Sequence, residues 1–167
     1  MKRLFALISV LCITLSVSFA QTKAEKEAAA KAIFDKTVAL VDAKDFVIVP
    51  DSYDSSTGSV ETNTDDANFI SFEKEIVYLQ GMIVCSNSYT NKTTITSYKQ
   101  ELDKKGNLRI DMQLKGSAIT ARVEIFVRKN GNYADVVVTP TQGTTRRFSG
   151  EITPRTESKY RKKPNVV

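Results

Sequence analysis

The feature that most constrains this chain is the alternation of apolar and polar residues between Tyr98 and Val138. A period of two is typical of β-strands with one buried face and one solvated face. Turn sequences interrupt the alternation at Lys104-Lys105-Gly106, Gly116-Ser117 and Asn130-Gly131. Because strands joined by such short turns pair side by side, the pattern predicts an antiparallel meander.

Each turn sets a strand register that the apolar residues test. Asn130-Gly131 is a strong signal for a two-residue hairpin in which both residues have positive φ, and Gly106 suits the left-handed position of a three-residue loop. A two-residue turn is also expected at Gly116-Ser117. All three choices put the apolar side chains on one face, and a slip of one residue would invert that face. The predicted pairs include Tyr98–Met112, Ile110–Val123 and Val123–Val138.

The opposite face of the predicted meander carries alternating charges. The same registers pair Glu101 with Arg109, Arg109 with Glu124, Lys99 with Asp111, and Asp111 with Arg122. Exposed pairs of this kind contribute only a few tenths of a kcal/mol each. We therefore interpret these carboxylates as members of a cross-strand ladder and not as catalytic acids.

Outside the meander the chain reads as one helix followed by further strands. An apolar face including Phe34 and Val41 predicts a helix from Thr22 to about Asp45, and its first half, Lys23–Lys31, is expected to project from the body or to fray. We expect one mainly β domain, an antiparallel meander forming a sandwich or a partly open, lipocalin-like barrel with the helix packed on it. The predicted strands are 46–49, 59–63, 68–73, 76–85, 93–102, 107–115, 119–129, 133–139 and 144–153.

The two ends of the chain differ in character from the body. Residues 1–20 combine basic Lys2 and Arg3, an apolar stretch and a small-residue cleavage site after Ala20, which predicts a cleaved signal peptide. Export to the periplasm or beyond the cell is therefore expected, with no transmembrane span after cleavage. Residues 21–154 form the predicted domain, and residues 155–167 a basic, disordered tail. Because the excess charge lies in that tail and the body is near neutral, no nucleic acid partner is expected.

The chain lacks the usual catalytic hardware. It contains no histidine, and Cys85 has no disulfide partner once the signal peptide is removed. Cys85 lies in the apolar run Met82-Ile83-Val84-Cys85, where a thiol behaves as a small buried hydrophobe. We expect no nucleophile and base, no metal site and no cofactor, and we predict a non-enzymatic binding or interaction module of unknown specificity.

One group of side chains favours a partner. Phe126, Tyr133 and Val137 are predicted to come together at the last hairpin, on the face that otherwise bears charges. An apolar patch on such a face indicates a contact with an envelope protein or polymer, unless the helix or a loop covers it.

Two other functions stay open. Tyr98 and Gln100 are predicted to project inward, which would suit a barrel that carries a small apolar ligand. A hydrolase that uses carboxylates alone would need two acids in one cleft, about 5 to 9.5 Å apart. The acids available for that arrangement are Asp51, Asp54, Asp65 and Asp66.

Several short motifs also resemble a known family in their order and spacing. They are Asn68–Phe72, Asp103–Asn107, Gly116–Val123 and Phe148–Pro154. In these motifs the chain is similar to the domain-of-unknown-function 4251 family of small exported Gram-negative bacterial proteins. The resemblance covers roughly residues 25 to 154 and implies no catalytic or ligand-binding residue.

Overall fold

The computed structural model describes residues 22–167, so the predicted signal peptide at residues 1–20 lies outside the described residues. The first element is α1 (Lys23–Ala43), which begins with a capping box: the Thr22 hydroxyl accepts from the Glu25 N–H, and the Glu25 carboxylate accepts from the Thr22 N–H. The helix ends at Ala43, and its C-cap residue Lys44 has a left-handed backbone conformation. Its first two turns are exposed, as predicted, because apolar residues reach the core only from Phe34 onward.

Ten strands and a short second helix follow α1. Their bounds are β1 (Asp45–Ile48), β2 (Ser52–Asp54), β3 (Val60–Thr62), β4 (Phe69–Glu73), β5 (Ile76–Gly81), α2 (Met82–Cys85), β6 (Asn87–Leu102), β7 (Leu108–Gly116), β8 (Thr120–Val127), β9 (Tyr133–Pro140) and β10 (Arg146–Pro154). The prediction of one strand over 76–85 is wrong beyond Gly81. There the chain turns into α2, and the Asn68 side chain accepts a hydrogen bond from the Ile83 N–H. The sequence prediction also missed β2.

Eight of these strands form a closed antiparallel barrel. The order around the barrel is β1-β4-β5-β6-β7-β8-β9-β10, and β10 returns to pair with β1. The β2–β3 hairpin lies outside this ring, where β2 pairs with β10. The antiparallel meander and the packed helix are confirmed, whereas the sandwich alternative is wrong and the barrel is closed, not partly open. Closure through the Ile48–Ile152 pair removes the free edges that a sandwich would keep.

Two of the three predicted registers are confirmed, and the third is shifted. Tyr98 pairs with Met112, and Val123 pairs with Val138. Ile110 pairs with Ile125 and not with Val123, because the tight turn is Ser117-Ala118, closed by a 2.8 Å hydrogen bond from the Gly116 N–H to the Ile119 carbonyl. A shift of two residues keeps every side chain on its predicted face.

The glycines in these turns serve different purposes. Gly106 has φ +83°, as predicted for its loop. Gly116 has no positive φ; instead, a Cβ there would lie 2.6 Å from the Lys92 carbonyl oxygen, so its role is close backbone approach. Neither Asn130 nor Gly131 has positive φ, so the predicted conformation of that hairpin is wrong although its register is right.

Apolar side chains fill the interior of the barrel. The stacked rings of Phe46 and Phe72 lie 4.2 Å apart between centroids. Val41 of α1 and Val84 of α2 belong to the same buried cluster. Since α1 leads into the start of β1 and α2 follows the end of β5, the antiparallel registers put the two helices at opposite ends of the barrel.

The C-terminal segment lies along the outside of the barrel. Sequence composition predicts disorder for residues 155–167, but in the structure the Tyr160 ring packs 4.8 Å from the outward-facing Phe69 ring, and Val166 bridges to Thr90 of β6. Basic composition alone does not reveal these partners, which come from distant strands. No helix within residues 22–167 is long and apolar enough to cross a membrane.

Candidate functional site

The charged outer face of β6, β7 and β8 forms a network of ion pairs. The Arg122 guanidinium contacts the Asp111 carboxylate through two nitrogens, at 3.0 and 2.5 Å, and reaches Glu124 at 3.1 Å. The hydrogen bonds between Arg122 and Asp111 lower the pKa of the Asp111 carboxyl and raise the pKa of the Arg122 guanidinium. The predicted pair of Arg109 with Glu124 is wrong: the shifted register puts Arg109 opposite Phe126 and leaves Arg122 to reach Asp111 diagonally.

Two guanidinium groups lie close to the Phe126 ring. The Cζ atoms of Arg109 and Arg128 are 4.6 and 5.7 Å from its ring centroid, within range of cation–π attraction. Arg128 also pairs with Asp135 at 3.1 Å, and the Ser149 hydroxyl donates to the same carboxylate at 2.9 Å. These contacts hold an aromatic ring and its cations in place on an otherwise open sheet face.

An open depression, which we call the outer groove, surrounds this ring. It has a volume of about 470 Å³ and is lined by Arg109, Phe126, Asp135, Val137 and Arg147, among others. The last three residues also line a second depression of about 250 Å³, which continues toward the β2–β3 hairpin. Together, the outer groove and the second depression run from the charged network to the hairpin.

The far wall of this surface is made by residues that the sequence prediction missed. Tyr53 of β2 and Val60 of β3 line the second depression, and Val60 is 73% exposed. Arg147 of β10 is exposed, and none of the ion pairs between described residues includes it. The polar turn from Ser55 to Gly58 is the signal that could have revealed the hairpin.

Of the three residues predicted to form a partner contact, Phe126, Tyr133 and Val137, the structure brings only two together in the outer groove. Phe126 opposes Asp135, as predicted, and lies in the outer groove with Val137. Tyr133 is 38% exposed and pairs with Glu151 of β10, outside both depressions.

Tyr98 and Gln100 connect the sheet to the end of α1. The Tyr98 hydroxyl donates to Gln100 at 2.8 Å, and the Gln100 amide donates to Asp42 of α1 at 2.6 Å. The Lys44 ammonium lies 4.9 Å from the Tyr98 ring centroid. Burial, with Asp42 and Glu75 nearby, raises the pKa of Tyr98 to about 12. Both side chains thus hold the helix against the barrel end.

Of the four carboxylates considered for hydrolysis, Asp65 and Asp66 have other partners, and Asp54 ends β2. Asp65 accepts from the Ala67 N–H at 2.9 Å, and Asp65 and Asp66 face Arg161 at 3.7 and 3.5 Å. Asp51 lies at the start of the β2 hairpin, and its pKa is raised, mainly by burial and then by Glu151. Within residues 22–167 no three acidic, cysteine or histidine side chains are placed to hold a metal ion.

Cys85 is buried, as predicted, although it lies in α2 and not in a strand. Its thiol donates to the Gly81 carbonyl at 3.4 Å. Burial raises the pKa of the thiol to about 11, which keeps it protonated at neutral pH.

Comparison with known proteins gives a match to a family model and matches to solved structures. The family model described as "Domain of unknown function (DUF4251)" matches residues 28–152. The crystal structure of a DUF4251 family protein from Bacteroides eggerthii has a TM-score of 0.68 and 23% identity, covering 79% of this chain and 94% of that one. At that identity the likeness shows a shared fold. A search of curated proteins finds no match.

Proposed function

This chain belongs to the DUF4251 family, whose function is unknown, and we propose that it is an exported, non-enzymatic interaction module that binds a protein partner of the bacterial envelope through the outer groove. The observation that carries this proposal is the contrast between the two sides of the barrel wall. The interior is filled with side chains, whereas the outer groove is open and holds a positioned aromatic ring beside Arg147.

The residues of the outer groove suit a protein surface. Aromatic and arginine side chains are enriched where protein interfaces gain most of their binding energy. Phe126 and Val137 offer apolar contact, and Arg147 offers an exposed cation to a carboxylate of the partner. The surrounding ion pairs would form a polar rim that favours one orientation of the partner.

Carriage of a small apolar ligand is the second candidate function. A carrier needs an enclosed volume of several hundred Å³, whereas the described interior contains stacked Phe46 and Phe72 together with Met112 and Ile125. The position of Tyr98 and Gln100 beneath α1 gives them a structural use that needs no ligand. The outer surface is therefore the better supported site.

Photo-crosslinking in the native host tests the proposal. A p-benzoylphenylalanine is placed at Val137 in the outer groove, or at Lys115, an exposed control residue on β7 that does not line it. We expect one discrete crosslinked protein from Val137 and none from Lys115, and we expect Arg147→Glu to abolish the product. The same product from both positions, or one that Arg147→Glu leaves unchanged, would contradict the proposal. Native mass spectrometry of the protein purified from its own envelope separates the alternatives, since a retained small molecule would favour the carrier.

A further inference from the structure

The outer face of β4, β5 and β6 holds the C-terminal segment by its backbone. The fully buried Gln80 amide nitrogen donates to the Arg161 carbonyl, and its oxygen accepts from the Lys163 N–H, both at 2.8 Å. The buried Thr90 hydroxyl hydrogen-bonds to Gln80 and lies 3.0 Å from the Lys163 carbonyl oxygen. Contacts to main-chain atoms recognise an extended peptide whatever its side chains.

Two side-chain positions add selectivity to this backbone clamp. Tyr160 packs on Phe69 at 4.8 Å between ring centroids. Two residues later, the Lys162 ammonium pairs with Glu73 and lies 3.6 Å from the Tyr78 ring centroid. Since residues two apart in an extended chain share one face, the site selects an aromatic residue and, two positions later, a basic residue, while Arg161 between them faces Asp65 and Asp66.

The last residues of the chain extend the sheet. In β6, the Lys92 N–H donates to the Val167 carbonyl at 2.8 Å, and the Thr90 N–H donates to the Asn165 carbonyl at 3.1 Å. In return, the Val167 N–H donates to the Thr90 carbonyl at 3.0 Å. This pairing is parallel, and it occupies the part of β6 that precedes its first pair with β7, at Thr93. Such strand addition is a common mode of peptide recognition.

The segment that fills this site is an appendage to the barrel. The pairing of β1 with β10 ends at Phe46–Pro154, and the family match ends at residue 152, so the barrel closes without residues 155–167. Thr156, Glu157 and Lys159 are exposed in the connection between the barrel and Tyr160. The docking surface therefore lies within the residues that match the family model, while its occupant lies beyond them.

We propose that this surface, defined by Phe69, Glu73, Tyr78, Gln80 and Thr90 and called the tail site, also binds in trans, with the C-terminal segment of a second copy as its occupant. A second copy carries the same Tyr-x-Lys spacing and so fits the site equally well. The chain's own segment competes at an effective concentration in the millimolar range, so exchange between copies appears when that segment is weakened or the protein is concentrated. The proposal uses a different face of the barrel from the outer groove and goes beyond the function proposed above.

Fluorescence anisotropy with a labelled peptide of residues 155–167 tests the tail site. The acceptor is the full chain carrying Tyr160→Ala and Lys162→Ala, which weaken its own segment and leave the barrel intact. We expect it to bind the peptide at least about 10-fold more tightly than the wild-type chain, whose own segment competes. Adding Gln80→Leu should weaken binding at least about 10-fold, because four hydrogen-bonding groups lose their partner.

A charge reversal gives a control that does not disturb the buried Gln80. Adding Glu73→Lys to the same acceptor should weaken its binding of the wild-type peptide and strengthen its binding of a peptide that carries Lys162→Glu. An acceptor that is folded by circular dichroism and yet binds no peptide at about 1 mM would overturn the proposal, as would binding that neither Gln80→Leu nor Glu73→Lys changes. A wild-type chain that remains monomeric by light scattering up to about 1 mM would overturn the exchange between copies.

Discussion

Alanine substitution at Gly116, Gly131 and Gly106 separates three reasons for a glycine in a turn. At Gly116 an added Cβ would lie 2.6 Å from the Lys92 carbonyl oxygen and 2.9 Å from the Thr93 methyl carbon. The carbonyl belongs to a paired strand and cannot move away alone, so we expect Gly116→Ala to lower the free energy of unfolding by about 2–3 kcal/mol, as for overpacking.

The other two glycines are expected to respond differently. No atom lies within 4 Å of a Cβ at Gly131, and its φ is not positive. Gly131→Ala should therefore raise the free energy of unfolding by about 0.4–1 kcal/mol, because alanine restricts the unfolded chain. Gly106 has room for a Cβ, with Lys129 3.7 Å away, but its φ of +83° should make Gly106→Ala cost about 1–2 kcal/mol.

Urea denaturation followed by circular dichroism measures all three changes. The comparison matters for the outer groove, because the turn after Gly116 sets the register that puts Arg109 opposite Phe126. If Gly131→Ala lowers the free energy of unfolding by about 1 kcal/mol or more, Gly131 has the positive φ expected from the sequence, and this reasoning is refuted. Stability of Gly116→Ala within about 0.5 kcal/mol of the wild type would refute the close approach of the two strands.

Three further predictions concern titratable groups. With a pKa of about 11, Cys85 should react with Ellman's reagent at pH 8 roughly 100-fold more slowly in the folded chain than in urea, and equal rates would contradict its burial. Because the pKa of Tyr98 is raised to about 12, the contribution of its protonated hydroxyl to stability should be complete below about pH 10 and be lost between about pH 10 and 12. In a pH titration followed by absorbance at 295 nm, Tyr98→Phe should remove the phenolate transition that occurs at the highest pH. Hydrogen bonds, chiefly from Asn107, lower the pKa of Asp103 to about 2, so its contribution should be present above about pH 4 and decline toward pH 2. Acid unfolding of Asp103→Asn, compared with that of the wild type, checks the last point.

Much of the barrel wall could be predicted from the sequence because the signal is local. Alternation decides which side chains point inward, and Ile110, Met112 and Val123 are buried as expected although one register moved by two residues. The helix could also be predicted, since its apolar face, which includes the buried Phe34 and Val41, lies within one continuous segment.

The candidate site was only partly predictable for the opposite reason. The sequence places Phe126 opposite Asp135, but it does not show that Arg109 lies across from that ring, or that Arg147 and the β2–β3 hairpin adjoin it. Those neighbours depend on a turn displaced by one position and on a strand of three residues with almost no periodicity.

By itself, then, the sequence determined the strand character of this chain, the inward or outward direction of its side chains, and the helix that precedes the sheet. Only the tertiary structure decided that the sheet closes through β1 and β10, that α2 interrupts an apolar run, and that residues 155–167 lie along β4 to β6. The physical reason is that periodicity records which face of a strand is buried, whereas closure and docking depend on partners far away in the chain, whose identity no local pattern encodes.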